Sequence, residues 1–181
     1  MRTDERGMSL IEVLVSTALL TTLMSGLMAM SGVAISTTEN QGHLAARNTE
    51  YAQDKMEQLV ALSFSDASSD TRVFPAGSAG GSGLTTGGSY DINSPVALYV
   101  DYLDDKGNLC GSAGADCSAP SGATPPLGWF YKRVWKIDDR TTDATLPLNM
   151  KKITVAATTV RGFGGAAQPT AYLAVLKTNP F

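Results

Sequence analysis

Histidine is almost missing: His43 is the only one in 181 residues. That removes most His-based catalytic and metal-binding schemes, and the sequence shows no metal-ligand cluster or cofactor fingerprint. Cysteine occurs twice, as Cys110 and Cys117. Two are too few for a disulfide scaffold, and a zinc site would need two further ligands from His43 or carboxylates. Charged residues make up 17% of the chain, against roughly 25% in an ordinary globular protein. Positive charge is not in excess, since 14 Lys and Arg oppose 17 Asp and Glu for a net −3 and a pI near 5.1. A dedicated nucleic-acid binder carries a basic surplus, so this balance argues against one. The Gly-rich stretch Ala79-Gly80-Gly81-Ser82-Gly83 is not followed by Lys-Ser/Thr, which excludes a phosphate loop. A hydrophobic fraction of 43% excludes a disordered chain.

What is present is concentrated at the start. A hydrophilic leader, Met1 to Gly7, carries Arg2 and Arg6 beside Asp4 and Glu5. From Val13 to Ile35 no residue is charged. That run is long enough for a bilayer, which about 20 helical residues can span. A secretory signal has a shorter apolar core and a basic leader without acids, so it fits poorly. A plain membrane anchor fits the length but leaves Glu12 unexplained. An ionisable side chain at membrane depth costs roughly 2.5–3.5 kcal/mol or more, and calls for a partner. Cleavage after Gly7 would create one, the free α-amino group of Met8. Met8 and Glu12 stand at i and i+4, so opposite charges on one helix face can meet, within a chain or between neighbouring helices. A low dielectric strengthens that attraction.

Gly7-Met8-Ser9-Leu10-Ile11-Glu12-Val13-Leu14-Val15 resembles the processing motif of type IV pilins and type II secretion pseudopilins. The resemblance implies that prepilin peptidase cuts after Gly7 and methylates the amine of Met8, and that Glu12 is the assembly carboxylate. Major pilins usually carry Phe where Met8 stands, so Met points towards a minor subunit. The segment Arg133-Val134-Trp135-Lys136-Ile137, followed by Lys152-Ile153-Thr154-Val155, is similar to the tail of V-type minor pilins.

Small residues Ala18, Thr22, Ser25, Ala29, Gly32 and Ser36 recur at spacings of four and three. Such a seam lets helices approach closely in lipid, although small residues are common in membrane helices generally. The helical pattern continues past Ile35 and becomes amphipathic. Ala45, Ala52, Met56, Leu59 and Val60 fall near one face, with Arg47, Glu50, Asp54, Lys55 and Glu57 mainly elsewhere. The expected helix runs from Ser9 to about Leu62, with His43 as a solvated helix residue. It would be on the order of 80 Å long.

Residues 65–95 read as a Gly/Ser-rich connection, of a length that is either functional or loosely ordered. Period-two alternation predicts strands over 96–103, 129–137, 152–160 and 171–177. The interleaved Lys132, Arg133 and Lys136 with Trp129, Phe130, Tyr131 and Trp135 invite a nucleic-acid platform reading. Alternation instead sends most of the aromatics inward and the lysines into water, and the acidic total again opposes nucleic acid. Export across the inner membrane would place Cys110 and Cys117 in an oxidising space, which favours a disulfide over zinc. Closing so short a loop contributes roughly 2.5 kcal/mol in the chain-entropy account.

The expected fold is α+β, a long N-terminal helix packed through its C-terminal half on a roughly four-stranded antiparallel sheet. The expected organisation is leader 1–7, helix 8–64 with 13–35 in the membrane, connection 65–95, and sheet head 96–181 with the Cys-bounded loop 110–117. No enzyme activity, cofactor or metal is expected. The resemblance implies a minor type IV pilin-like subunit supporting pilus assembly or surface adhesion. Its implied partners are prepilin peptidase, major and minor pilin subunits, the inner-membrane assembly platform and the membrane. It would reside as a single pass in the bacterial inner membrane before moving to a surface pilus. The alternative is a minor pseudopilin of a type II secretion system, acting in a periplasmic pseudopilus.

Overall fold

The computed structural model describes residues 9–73, 75–77, 80–111, 117, 124–160 and 168–179. One helix, α1, spans Leu10–Ala61, within a residue of the expected limits. Five strands follow: β1 Gly87–Gly88, β2 Val100–Leu103, β3 Tyr131–Asp138, β4 Met150–Thr159 and β5 Thr170–Thr178. The chain is α+β, with the helix packed on an antiparallel sheet as in the pilin fold. It divides into two compact units, Met1–Asn40 and Gln41–Phe181.

In the first unit the described residues are helical from Leu10 onward, and their large apolar side chains are exposed, Leu10, Leu14, Leu19, Leu23 and Leu27 among them. This is a helix long and apolar enough to cross a membrane. Most of its hydroxyls are satisfied internally: Thr17, Thr21, Thr22, Ser25, Ser31 and Ser36 donate to carbonyls three or four residues back. A hydroxyl bonded to its own helix can enter hydrocarbon without an orphaned polar group. The seam residues Thr22, Ser25 and Ser36 therefore remain small without costing the helix a donor.

In the second unit β3 is the centre of the sheet. Both β1 and β2 pair with one of its edges, β2 along Tyr131–Val134 and β1 along Lys136–Ile137, while β4 takes the other edge and β5 closes the far side. The face turned to the helix buries Trp135, Ile137, Ile153, Val155 and Ala157 against Ala52, Leu59, Leu84 and Tyr99, with Leu173 and Val175 packed alongside. A fully buried Trp at the middle of such a core is worth roughly 3–5 kcal/mol against Ala. The opposite face is also covered, by Ile92, Cys110 and Trp129 over Val100, Tyr102, Val134 and Ala156. Val134 on this face is thus buried like its neighbours.

Two expectations need correction. The sheet has five strands rather than four, the additional one being Gly87–Gly88 from the connection. The strand expected over 96–103 forms only from Val100, because Leu98 sits at φ 70° and turns the chain. A bulky residue in that region breaks strand geometry, yet the Tyr99 carbonyl still accepts from the Trp135 N–H at 3.0 Å. Parts of the Gly-rich connection among the described residues pack closely. A Cβ on Gly88 (φ +82°) would lie 2.3 Å from the Trp135 carbonyl oxygen, and one on Gly81 would lie 2.2 Å from that of Ser69. These glycines let backbone lie directly on backbone.

Candidate functional site

The first site is the helix N-terminus. Gly7 and Met8 lie outside the described residues. Glu12 is exposed in the first turn of α1, and its backbone N–H donates to the Ser9 carbonyl at 2.9 Å. Ser9-Leu10-Ile11-Glu12 has the spacing of a capping box, and a carboxylate there also faces the positive end of the helix dipole. The same acid is therefore suited to the start of a helix and available to an outside cation.

The second feature is the Cys110–Cys117 disulfide, with Cα atoms 5.1 Å apart. Cys117 is buried, and Cys110 packs on the outer sheet face beside Trp129. The bond therefore ties buried Cys117 to Cys110 on the outer face of the sheet.

The third feature was not anticipated from sequence. Lys55, assigned to the polar side of the helix, is 1% exposed and points into the head. The face that packs is Asn48, Ala52, Lys55 and Leu59, rather than one running through Ala45 and Val60, which are both exposed. Lys55 Nζ lies 2.6 Å from Asp101 Oδ2 on β2 and 4.4 Å from the Trp135 ring centroid, and it also donates to the Thr71 carbonyl. Arg133 on β3 grips the same carboxylate with Nε and Nη2, at 2.8 and 2.9 Å. Its Nη1 reaches Asp54 of the helix at 2.8 Å. Asp101 and Arg133 are Cα partners in the β2–β3 register, which sets the fork in place.

Burial lowers the Lys55 ammonium to a pKa of about 8, with Asp101 pulling the other way and Arg133 adding to the depression. Burial alone would raise the Asp101 carboxyl, but Arg133 and Lys55 outweigh it and hold it below the usual range. Burial acts against the Arg133 charge, yet Asp101 and Asp54 leave it raised. A sequence signal existed: Arg133 shares the alternating face of Tyr131, Trp135 and Ile137, and Lys55 lies three residues from Ala52 and four from Leu59.

The cations once grouped as a platform are separately engaged. Arg133 is buried in this network, Lys132 donates to the Ile92 carbonyl, and Lys136 pairs with Asp138 at 2.8 Å. His43 is exposed. Among the described residues no three His, Cys, Asp or Glu side chains converge as a metal site.

The chain matches the prokaryotic N-terminal methylation motif over residues 2–28. The match supports the type IV pilin-like family. It covers Gly7, Met8, Glu12 and the first turns of the apolar helix. No curated protein and no solved structure matches the chain. The pilin-like motif belongs to structural subunits rather than enzymes, and it implies processing by prepilin peptidase and assembly with other pilin subunits. Together with the apolar helix it fits a membrane-anchored precursor.

Proposed function

We propose that this chain is a minor type IV pilin-like subunit that prepilin peptidase cuts after Gly7 and methylates on Met8. The observation carrying this reading is a methylation motif at residues 2–28 joined without interruption to a membrane-long helix. In this account residues 1–7 are the leader and 13–35 the membrane span. Residues 65–95 connect the helix to the sheet head, 96–181. Before assembly the subunit is held in the inner membrane by its single span, in contact with the assembly platform. It then joins major and minor pilin subunits in a surface pilus, supporting assembly or adhesion.

Glu12 is the residue that drives incorporation. In lipid its carboxylate is costly when alone and strongly attracted to the new amine of a processed subunit. Register between subunits follows from where the two charges meet. Glu12→Ala should therefore leave the protein processed and membrane-bound, but absent from filaments sheared off the cell surface. Normal incorporation of that variant contradicts the pairing mechanism. Absence of the unaltered, membrane-bound protein from sheared filaments assigns it instead to a type II secretion pseudopilus.

A further inference from the structure

We infer that the Lys55–Asp101–Arg133–Asp54 network is a register lock that fixes where the head sits along the C-terminal half of α1. The apolar contacts of this half specify register only in part, through Leu59 in the core and Tyr51 against Tyr131. A slide of one turn brings Leu59 into the place of Lys55, Met56 into that of Ala52 and Ala52 into that of Asn48. These three incoming residues are ones a helix–sheet interface accepts, and Met in particular adapts to irregular space.

The buried charges do not tolerate the slide. Asp101 is held from the helix by Lys55 at 2.6 Å and from β3 by two nitrogens of Arg133. Arg133 returns to the helix through Asp54. Side-chain exposure is 1% for both Lys55 and Asp101 and 4% for Arg133, whereas Asp54 is 55% exposed. A slipped helix would leave Asp101 facing Leu59 and would strip Arg133 of its second carboxylate. It would also free the Thr71 carbonyl that Lys55 bonds. Removing one partner of a buried pair is strongly destabilising, while replacing the whole set by apolar residues is often neutral. Such groups therefore contribute discrimination between registers more than stability, as a single buried polar residue does in a coiled coil.

The test uses the full chain in detergent, with its native disulfide oxidised and nitroxide labels on Gln53→Cys of the helix and Thr141→Cys of the head, both exposed positions. Pulsed dipolar spectroscopy should give one narrow distance for the otherwise unaltered protein. The apolar replacement Lys55→Met/Asp101→Leu/Arg133→Met should stay folded, shown by unchanged resistance to proteolysis. It should add a second distance, displaced by up to about 5 Å, one helical turn. Lys55→Met alone should broaden the distribution to an intermediate degree. A single unchanged distance in both variants overturns the lock. Loss of folding in the triple variant also overturns it, because the network would then act through stability rather than register.

Discussion

Removing Asp101 and removing Lys55 should have very different consequences, although each deletes one charge from the same pair. In Asp101→Ala the Lys55 ammonium and the Arg133 guanidinium remain buried, with only the half-exposed Asp54 to answer them. Breaking a buried pair in this way costs roughly 3–5 kcal/mol. In Lys55→Met the Asp101 carboxylate keeps both Arg133 contacts, and Met fills similar volume beside Trp135. The ammonium that is lost is one the fold already strains to hold charged, its pKa lying near 8 rather than 10.5. Its removal should cost no more than about 1 kcal/mol, the scale of a volume-conserving change in a core. For a chain of this size 1 kcal/mol corresponds to roughly 2–4 °C. Asp101→Ala should thus lower Tm by roughly 6–20 °C and Lys55→Met by no more than about 4 °C. Fluorescence of the buried Trp135 follows the transition in detergent-solubilised full chain. Equal losses in the two variants would refute the assignment of Asp101 as the shared counter-ion.

Three further outcomes follow from the geometry. Because the folded Lys55 pKa lies below the unfolded value, its cost is present in full below about pH 8 and is relieved as pH rises towards 10.5. Urea midpoints should accordingly move in favour of the unaltered protein relative to Lys55→Met by up to about 3 kcal/mol across that window; a pH-independent difference contradicts the burial of a charged Lys55. Gly88→Ala places a methyl against the Trp135 carbonyl at a backbone angle of +82°, so it should cost more than about 1 kcal/mol, read from the same melts, and a neutral result would displace β1 from the sheet. Cys110→Ser/Cys117→Ser should cost about 2.5 kcal/mol by loop entropy; free thiols in the exported protein, revealed by alkylation under non-reducing conditions, would overturn the bond itself.

Much of the architecture was legible because it rests on periodicity. The helix boundaries followed from an uninterrupted apolar run that turns amphipathic, and three of the four expected strands formed within two residues of their limits. What escaped had specific causes. Gly87–Gly88 has no side chains to alternate, so its pairing with Lys136 and Ile137 leaves no pattern to read. The first half of the 96–103 strand alternates correctly, yet Leu98 departs from extended geometry where the chain must pass from β1 to β2. Lys55 groups with the charged residues off the apolar face, although its spacing from Ala52 and Leu59 puts it on the packed face. Burial on both sides of β3 was also hidden, since covering by Ile92, Cys110 and Trp129 depends on loops that alternation does not describe. For the N-terminal site the motif alone carried the reading, because its chemistry is local: a small residue to cut after, an amine to create, and an acid four positions on.

The most direct test of the account is the intact mass and N-terminal sequence of the protein recovered from its native membrane. The account predicts a chain beginning at Met8, lacking residues 1–7 and carrying one added methyl on its amine. A chain that still begins at Met1, without that methyl, would contradict it.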